Sequence, residues 1–303
     1  MSAPVRRYRS VSRDRIEANI TGQLVSGNDL LVTLAAPRDA EFRVSPVSWI
    51  ADVVRLDGSG PFSASVAFGS DGRLYGGLIA AQALAAAGAT VPADCLPQSL
   101  HAYFIRGGRI GVDVDYTVDS TRDGRSFNTR RVSASQDGAP IFEMIASFHT
   151  AEPTTDWQSQ VSFRLPFAEA ATEVDHSEAW LDHFETRVGP DGSGGWPVQP
   201  FWFRCREQIE ADPLLRACAL TFISDMGMVS TARPPGGNLP GPGGAASLDH
   251  ALWLHRPFDP GQWHCYEATR VNHHDARGMA FGSIHDDTGR LVASVAQESL
   301  WRI

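Results

Sequence analysis

The second half of the chain carries three polar residues, Asp225, Ser247 and Gln297, as a set that the otherwise similar first half lacks. Asp225 stands at the head of a helix predicted over residues 226–233, Ser247 begins the next strand, and Gln297 lies in a strand predicted over residues 291–301. A carboxylate can accept a proton, while a hydroxyl and a primary amide can hold a small molecule by hydrogen bonds. Together, these three groups are suited to activating a water molecule.

Each of the three residues also has a purely structural explanation. An aspartate at a helix start is commonly an N-cap, which contributes about 1 kcal/mol. A serine at a strand edge often has no special role. A glutamine on an apolar strand face can be a core polar group with satisfied hydrogen bonds, since an unsatisfied one would cost about 1–3 kcal/mol. Taken singly, each residue is better explained by structure than by chemistry.

The chain repeats one unit after roughly 150 residues, which suggests two similar subdomains packed with pseudo-twofold symmetry. In each copy a helical run leads into a strand, and a strand pair follows. In the first copy residues 78–87 are nearly apolar all round, which predicts a buried helix. Residues 113–120, 126–136 and 140–150 alternate with period two between Asp-Gly turns, which predicts an antiparallel meander. The pattern is typical of an α+β fold in which each sheet wraps one helix.

Six motifs spread over both halves resemble the acyl-CoA thioesterase II family, whose members are double-hotdog proteins. The resemblance implies a double hotdog with a first hotdog over residues 47–150, a linker over 151–199 and a second hotdog, carrying the catalytic residues, over 200–303. Residues 1–46 are an N-terminal extension of unknown role. The motifs are residues 75–84, 100–106, 122–132, 224–225, 248–258 and 291–298.

The resemblance also implies an activity and a site. Members of the family hydrolyse an acyl-CoA, or a related acyl thioester, to the free acid and the thiol. Their hydrolytic water is held by an aspartate, a threonine or serine, and a glutamine, which map onto Asp225, Ser247 and Gln297. Asp225 would be the general base, and the other two would position the water. Gly77 and Leu78, at the start of the first helix, are candidates for contacts with the oxyanion. No metal or other cofactor is expected.

The chain departs from the family pattern at His273, His274 and Asp275, where small residues are usual. If this loop faces the acyl pocket, His273 and His274 are substrate-binding residues, and a purely hydrophobic fatty chain fits less well. A metal site is not predicted there, because adjacent residues on a strand rarely ligate one ion and no third ligand is suitably spaced.

Two alternative functions stay open on the sequence. One is a hotdog hydratase or acyltransferase that acts on a carrier-bound acyl or polyketide chain, which a histidine placed next to Asp225 would favour. The other is a non-catalytic subunit that binds an acyl thioester. The phosphates of CoA would need cationic contacts, yet ion pairs on an exposed sheet explain the available arginines equally well. These are Arg106, Arg109, Arg125, Arg130 and Arg131.

Composition restricts the partners and the compartment. A net charge of −9 argues against a nucleic-acid partner, whose binding domains usually carry a basic face. The longest weakly polar run, residues 76–91, is shorter than the ~20 residues that a membrane span requires. The four cysteines are scattered without CxxC spacing, which predicts reduced thiols and a cytoplasmic protein. Exposed edges and faces of hotdog sheets predict a homodimer or homotetramer.

Overall fold

A computed structural model describes residues 48–70, 72–170, 172–173, 178–189, 199–240 and 243–302. The predicted N-terminal extension over residues 1–46 lies outside these ranges. The described residues contain four α-helices and fifteen strands. The helices are α1 (Trp49–Val53), α2 (Gly76–Gly88), α3 (Pro213–Ser224) and α4 (Met228–Thr231).

The strands alternate along the chain with these helices, and most belong to antiparallel hairpins. Those of the first half are β1 (Phe62–Ala64), β2 (Gly69–Ser70), β3 (Arg73–Leu74), β4 (Cys95–Phe104), β5 (Val114–Asp123), β6 (Phe127–Gln136) and β7 (Ala139–Thr150). Those that follow are β8 (Thr172–Glu173), β9 (Phe184–Val188), β10 (Phe201–Cys205), β11 (Ala245–Ser247), β12 (Asp249–Leu254), β13 (His264–His274), β14 (Arg277–Asp286) and β15 (Leu291–Trp301).

One antiparallel sheet joins the two repeats. Its strands run in the order β1-β5-β6-β7-β4-β12-β15-β14-β13-β10-β9-β8, with β11 paired to β15, while β2 and β3 form a separate pair. The repeats meet where β4 pairs with β12, with Leu100 opposite Leu252. Helix α2 follows the first repeat's leading strands and α3 those of the second, so each half supplies one long buried helix. The predicted double-hotdog α+β fold is confirmed.

The sequence dictates how the two long helices begin and why they are buried. Asp212 accepts hydrogen bonds from the amides of Leu214 and Leu215, and Pro213 occupies the first turn, so α3 has a complete N-cap. Helix α2 is apolar nearly all round because it is enclosed by sheet strands and α3. Its one long polar side chain, Gln82, donates to the carbonyls of Val53 and Val66 and accepts from the hydroxyl of Tyr116. Both Gln82 and Tyr116 are completely buried.

The segment predicted as a linker, residues 151–199, contributes strands of its own. Within its described part, β8 pairs with β9, and β9 pairs with β10, so these strands extend the sheet of the second repeat. Tight turns connect the hairpins as predicted: Asp137 and Gly138 both have positive φ, at 49° and 74°, as a two-residue hairpin turn requires. Within the described residues no helix is both long and apolar enough to cross a membrane.

Candidate active site

The structure brings together the three residues that the sequence singled out. Asp225 follows α3, Ser247 ends β11, and Gln297 lies in β15. The Ser247 hydroxyl donates to Oδ1 of Asp225 at 3.2 Å, and the Gln297 amide Nε2 donates to Oγ of Ser247 at 3.0 Å. The three side chains therefore form one hydrogen-bonded chain that ends on the carboxylate.

Asp225 lies at the end of a helix and not at its start. It is the C-cap residue of α3, and the short helix α4 begins only at Met228, so the predicted helix over residues 226–233 is wrong in its limits. The interpretation of Asp225 as an N-cap is also wrong, because α4 has Gly227 at its N-cap position. Long, apolar α3 ends where the chain must turn back toward the sheet.

The carboxylate of Asp225 is instead held by the start of the other long helix. The backbone amide of Gly77, in the first turn of α2, donates to Oδ2 of Asp225 at 3.0 Å. Amides at a helix N-terminus have no partner within the helix, and the helix dipole favours negative charge there. A Cβ on Gly77 would lie 2.3 Å from the carbonyl oxygen of Phe222 in α3. Glycine at this position lets the two helices approach closely enough for this contact.

Burial raises the pKa of Asp225 above the ordinary 3.8 of an aspartate. Four neighbours act in the opposite direction and favour the charged form: nearby His250 by its charge, and Gln297, Ser247 and the Gly77 amide by hydrogen bonding. The net direction is upward because the side chain is removed from water, which penalises the charged form. A carboxylate with a raised pKa is a stronger base than a solvated one, which suits proton abstraction near neutral pH.

His250 belongs to the same network and was not singled out by the sequence. Only 1% of the residue is exposed. Its Nδ1 lies 2.6 Å from Oε1 of Gln297, and its Nε2 lies 2.8 Å from Oγ of Ser224. Since an amide oxygen can only accept, Nδ1 must carry the proton of that hydrogen bond. The contact fixes which end of the Gln297 amide faces Ser247. The sequence could have indicated His250 through its position, because a polar ring there shares the inward face of its strand with apolar residues.

His250 does not form a direct pair with Asp225. Within the described residues the Asp225 carboxylate accepts hydrogen bonds from Ser247 and the Gly77 amide and is also stabilised by the Gln297 amide, and no histidine ring bonds to it. The Asp–His contact that would favour the hydratase alternative is therefore not formed in the part of the chain that the structure describes.

A cavity of about 720 Å³ opens beside the carboxylate. Asp225, Ser247 and Gly76 line it, whereas Gln297 is fully buried behind Ser247. A Cβ on Gly76 would lie 2.7 Å from Oδ2 of Asp225 and 2.9 Å from the ring of Phe104. The absence of a side chain at Gly76 therefore keeps the carboxylate accessible from the cavity.

Of the other predicted site residues, only Gly77 contacts the carboxylate of Asp225. Gly77 contacts Asp225 through its amide, but Leu78 is completely buried in the core and does not line the cavity. His273 and His274 end β13, where they pair with Gly278 and Arg277, and neither lines the cavity. Nor do the described residues contain any group of three or more histidine, cysteine or acidic side chains arranged to hold a metal ion.

Two hotdog units in one chain, with a buried carboxylate where their central helices meet, define a double-hotdog protein. Residues 65–149 match the family model of the acyl-CoA thioesterase N-terminal domain, and residues 151–301 that of the C-terminal domain. The chain is 33% identical to acyl-coenzyme A thioesterase 8 of Rattus norvegicus, with 76% of this chain and 80% of the relative covered. It is 29% identical to acyl-CoA thioesterase 2 of Haemophilus influenzae, with 76% and 88% covered.

A solved structure shows the same relationship. The acyl-CoA thioesterase II TesB2 from Mycobacterium marinum has a TM-score of 0.70 and 31% identity, with 84% of this chain and 96% of that chain covered. The chain belongs to the acyl-CoA thioesterase II family, as the sequence motifs predicted, and it is a thioester hydrolase.

Proposed function

We propose that this protein hydrolyses acyl-CoA thioesters with a water molecule that Asp225 activates as general base. The observation that carries the proposal is the position of the Asp225 carboxylate, which lines the cavity and accepts hydrogen bonds from Ser247 and the Gly77 amide. A water in the cavity would donate one proton to Asp225 and the other to a free lone pair of the Ser247 hydroxyl. Its own lone pair then faces the thioester carbonyl.

Gln297 and His250 do not line the cavity and act on this water through Ser247 and Asp225. Gln297 is fully buried and does not line the cavity, so its amide holds the Ser247 hydroxyl and does not itself meet the substrate. His250 in turn holds the amide oxygen of Gln297. The serine hydroxyl donates its single proton to Asp225 and accepts from Gln297, which fixes the direction of its remaining lone pair.

The start of α2 supplies the stabilisation of the oxyanion in this proposal. Gly76 is the first residue of the helix and lines the cavity. Its amide has no partner within the helix, because the first amides of an α-helix are unpaired there. A carbonyl oxygen held at this amide would meet both a hydrogen-bond donor and the positive end of the helix dipole, where negative charge develops during attack. Gly77 is less suitable because its amide already binds Asp225.

Thiol release from short, medium, long and aromatic acyl-CoAs tests the proposal. We expect time-dependent release of free CoA and stoichiometric carboxylic acid from at least one class. The matched control is Asp249→Asn, since within the described residues Asp249 accepts one hydrogen bond, from the backbone amide of Glu298, and does not line the cavity. This variant should keep full activity. Binding of acyl-CoA without release of thiol would overturn the proposal in favour of a binding subunit.

The same acyl groups presented on a phosphopantetheinylated carrier protein extend the test. We propose CoA as the thiol moiety. A rate on the carrier thioester that exceeds the rate on the CoA ester would instead identify an acyl carrier as the natural substrate.

The proposed setting is a reducing compartment, such as the cytoplasm, and a homo-oligomer. All four cysteines are buried and unpaired, which is typical of intracellular proteins. The outer face of the joined sheet carries exposed apolar side chains at Tyr103, Ile145 and Phe281, of which 63%, 55% and 52% are exposed. Such side chains favour burial against a second copy. Light scattering that shows only monomer at micromolar concentration would refute the oligomer.

A further inference from the structure

Two arginine side chains at the mouth of the cavity have no carboxylate partner among the described residues. Arg73 and Arg106 both line the cavity, and both are exposed. Arg109 and Arg131, which the sequence also offered as cations, each form an ion pair with a nearby carboxylate. Among the residues that the structure describes, no aspartate or glutamate lies within ion-pair distance of Arg73 or Arg106. Both guanidinium groups are therefore available to an anion that enters the cavity.

Arg73 is held in place by packing. The Cδ of Arg73 lies 3.4 Å from the position that a Cβ would have on Gly107, so its stem crosses the backbone there. Its Nη2 lies 2.9 Å from the position that a Cβ would have on Gly243. The side chain thus lies against the backbone at two glycines that line the cavity. Because this packing already restricts the side chain, an anion would lose less entropy in ordering it.

Both arginines lie within one substrate length of the reacting groups. Ser247 is four residues from Gly243, and a chain of four residues spans at most about 14 Å. Arg106 lies two residues beyond Phe104, whose ring packs beside Gly76 at the carboxylate. A single elongated ligand can therefore contact Asp225 at one end and both arginines at the other. Binding at such a remote position holds the reacting bond near the base.

The cavity is lined by buried apolar side chains as well as by the exposed arginines, and this difference in exposure indicates which part of the substrate the arginines contact. The apolar residues Leu74, Ile79 and Trp301 line the cavity and are less than a tenth exposed. An acyl chain favours such walls, whereas the hydrophilic nucleotide part of CoA favours the exposed mouth. Arginine binds phosphate oxygens with two parallel hydrogen bonds, which suits it to the phosphate groups of CoA.

We propose that Arg73 and Arg106 bind the phosphate groups of the thiol moiety of the substrate. This inference rests on the proposed function, because it assumes a thioester at Asp225. It assigns to the mouth of the cavity the recognition of an organic phosphate, and it leaves the acyl group to the apolar walls. An anionic group on the acyl chain has the same chemistry, and the experiment separates the two sources.

The test compares thioesters that share an acyl group but differ in their phosphates. Arg73→Ala, Arg106→Ala and the double variant are assayed with the acyl-CoA that the wild type hydrolyses fastest, and with the same acyl group on N-acetylcysteamine, which carries no phosphate. We expect KM for the acyl-CoA to rise roughly tenfold in each single variant and roughly a hundredfold in the double variant, with kcat nearly unchanged. The kcat/KM for the N-acetylcysteamine ester should not change.

A binding measurement provides a readout that does not depend on turnover. Calorimetric titration with CoA should show the same loss of affinity in the double variant, while the affinity for pantetheine should equal that of the wild type. Arg131→Ala, which removes one exposed positive charge from an ion pair with Glu143, is the matched control and should behave as the wild type in both assays. Raising the salt concentration should weaken CoA binding to the wild type more than to the double variant.

The possible outcomes distinguish failure of the proposed phosphate site from failure of the proposed hydrolase activity. Equal losses on the CoA ester and the N-acetylcysteamine ester would overturn the phosphate site and leave the hydrolase intact. Losses confined to a dicarboxylic acyl-CoA, with none on the monocarboxylic ester of the same length, would assign the arginines to an acyl carboxylate and overturn the proposal. A wild type that releases no thiol from any acyl-CoA would refute the proposed function, and this inference with it.

Discussion

Replacing Asp225 by asparagine separates the chemistry of the site from its structure. Asparagine has nearly the same shape but cannot accept a proton from water. General-base catalysis contributes about 10²–10⁴-fold, so we expect kcat for thiol release to fall by that factor. Asp225 is the one acidic residue among the described residues that line the cavity, so no second carboxylate can take over its role there. KM should change little, because the substrate's binding groups lie elsewhere.

The same substitution should not destabilise the fold at neutral pH. The asparagine oxygen can accept from the Gly77 amide, and its amide can donate to Ser247, which has a free lone pair. Burial raises the pKa of Asp225 in the folded state above its unfolded value. Its contribution to stability is therefore fully present below pH 3.8 and is lost as pH rises through the folded pKa. At pH 7 the charged, buried carboxylate therefore lowers the free energy of unfolding, and asparagine removes this destabilisation.

Two measurements on purified Asp225→Asn test the expected loss of kcat and the expected stability of the fold. Thiol release is followed at saturating acyl-CoA, and thermal unfolding is followed at pH 7 with the wild type alongside. A variant that keeps more than about a tenth of the wild-type kcat would remove Asp225 as the base, since general-base assistance is worth at least about 10²-fold. A midpoint of unfolding several degrees below that of the wild type would show that the charged carboxylate stabilises the fold, contrary to the burial argument.

The remaining predictions address the residues around the base. Ser247→Ala should lower kcat by roughly 10–100-fold, because a hydrogen bond to a charged group is worth about 1.5–3 kcal/mol, whereas Ser247→Thr should remain active. Gly76→Ala should abolish activity without global unfolding, as its methyl group would contact the Asp225 carboxylate and Phe104; the measurement is kcat beside circular dichroism. His250→Phe should lower kcat while KM stays constant. If His250 and Gln297 act as a unit, Gln297→Leu and the double variant should lose as much kcat as His250→Phe alone. The profile of kcat/KM against pH should rise from acid to a plateau with a midpoint above 3.8, and a midpoint at or below that value would contradict the raised pKa of Asp225.

Local patterns in the sequence were sufficient to predict most of the fold. The apolar run over residues 78–87 is buried on all sides in α2, and the three strands predicted by alternation correspond to β5, β6 and β7. These elements are determined by side chains close together in the chain. The limits of the second helix were not predictable in this way. Residues 226–233 look like a helix start after an acidic cap, but the chain turns at Asp225 because it must leave α3 toward the sheet.

The candidate site was predictable only as a set of residue types. The meeting of Asp225, Ser247 and Gln297 depends on pairing between strands far apart in sequence, and the motif resemblance, not the residue pattern, indicated that they come together. His250 was missed because its role depends on a contact with Gln297, 47 residues away. Arg73 was missed for a similar reason, since its position at the mouth depends on the two glycines that it crosses.

The duplicated fold builds the site at only one end of its helix pair. Helices α2 and α3 run antiparallel, so the end of α3 meets the start of α2 at Asp225, and the end of α2 meets the start of α3 at the opposite pole. There the C-cap residue of α2 is Ala89, and the side chain of Leu214 packs against Gly88. The first pole therefore carries a buried carboxylate, whereas the second pole is apolar core. We therefore expect one active site per chain, built from both repeats, and a calorimetric titration with CoA should count one binding site per polypeptide.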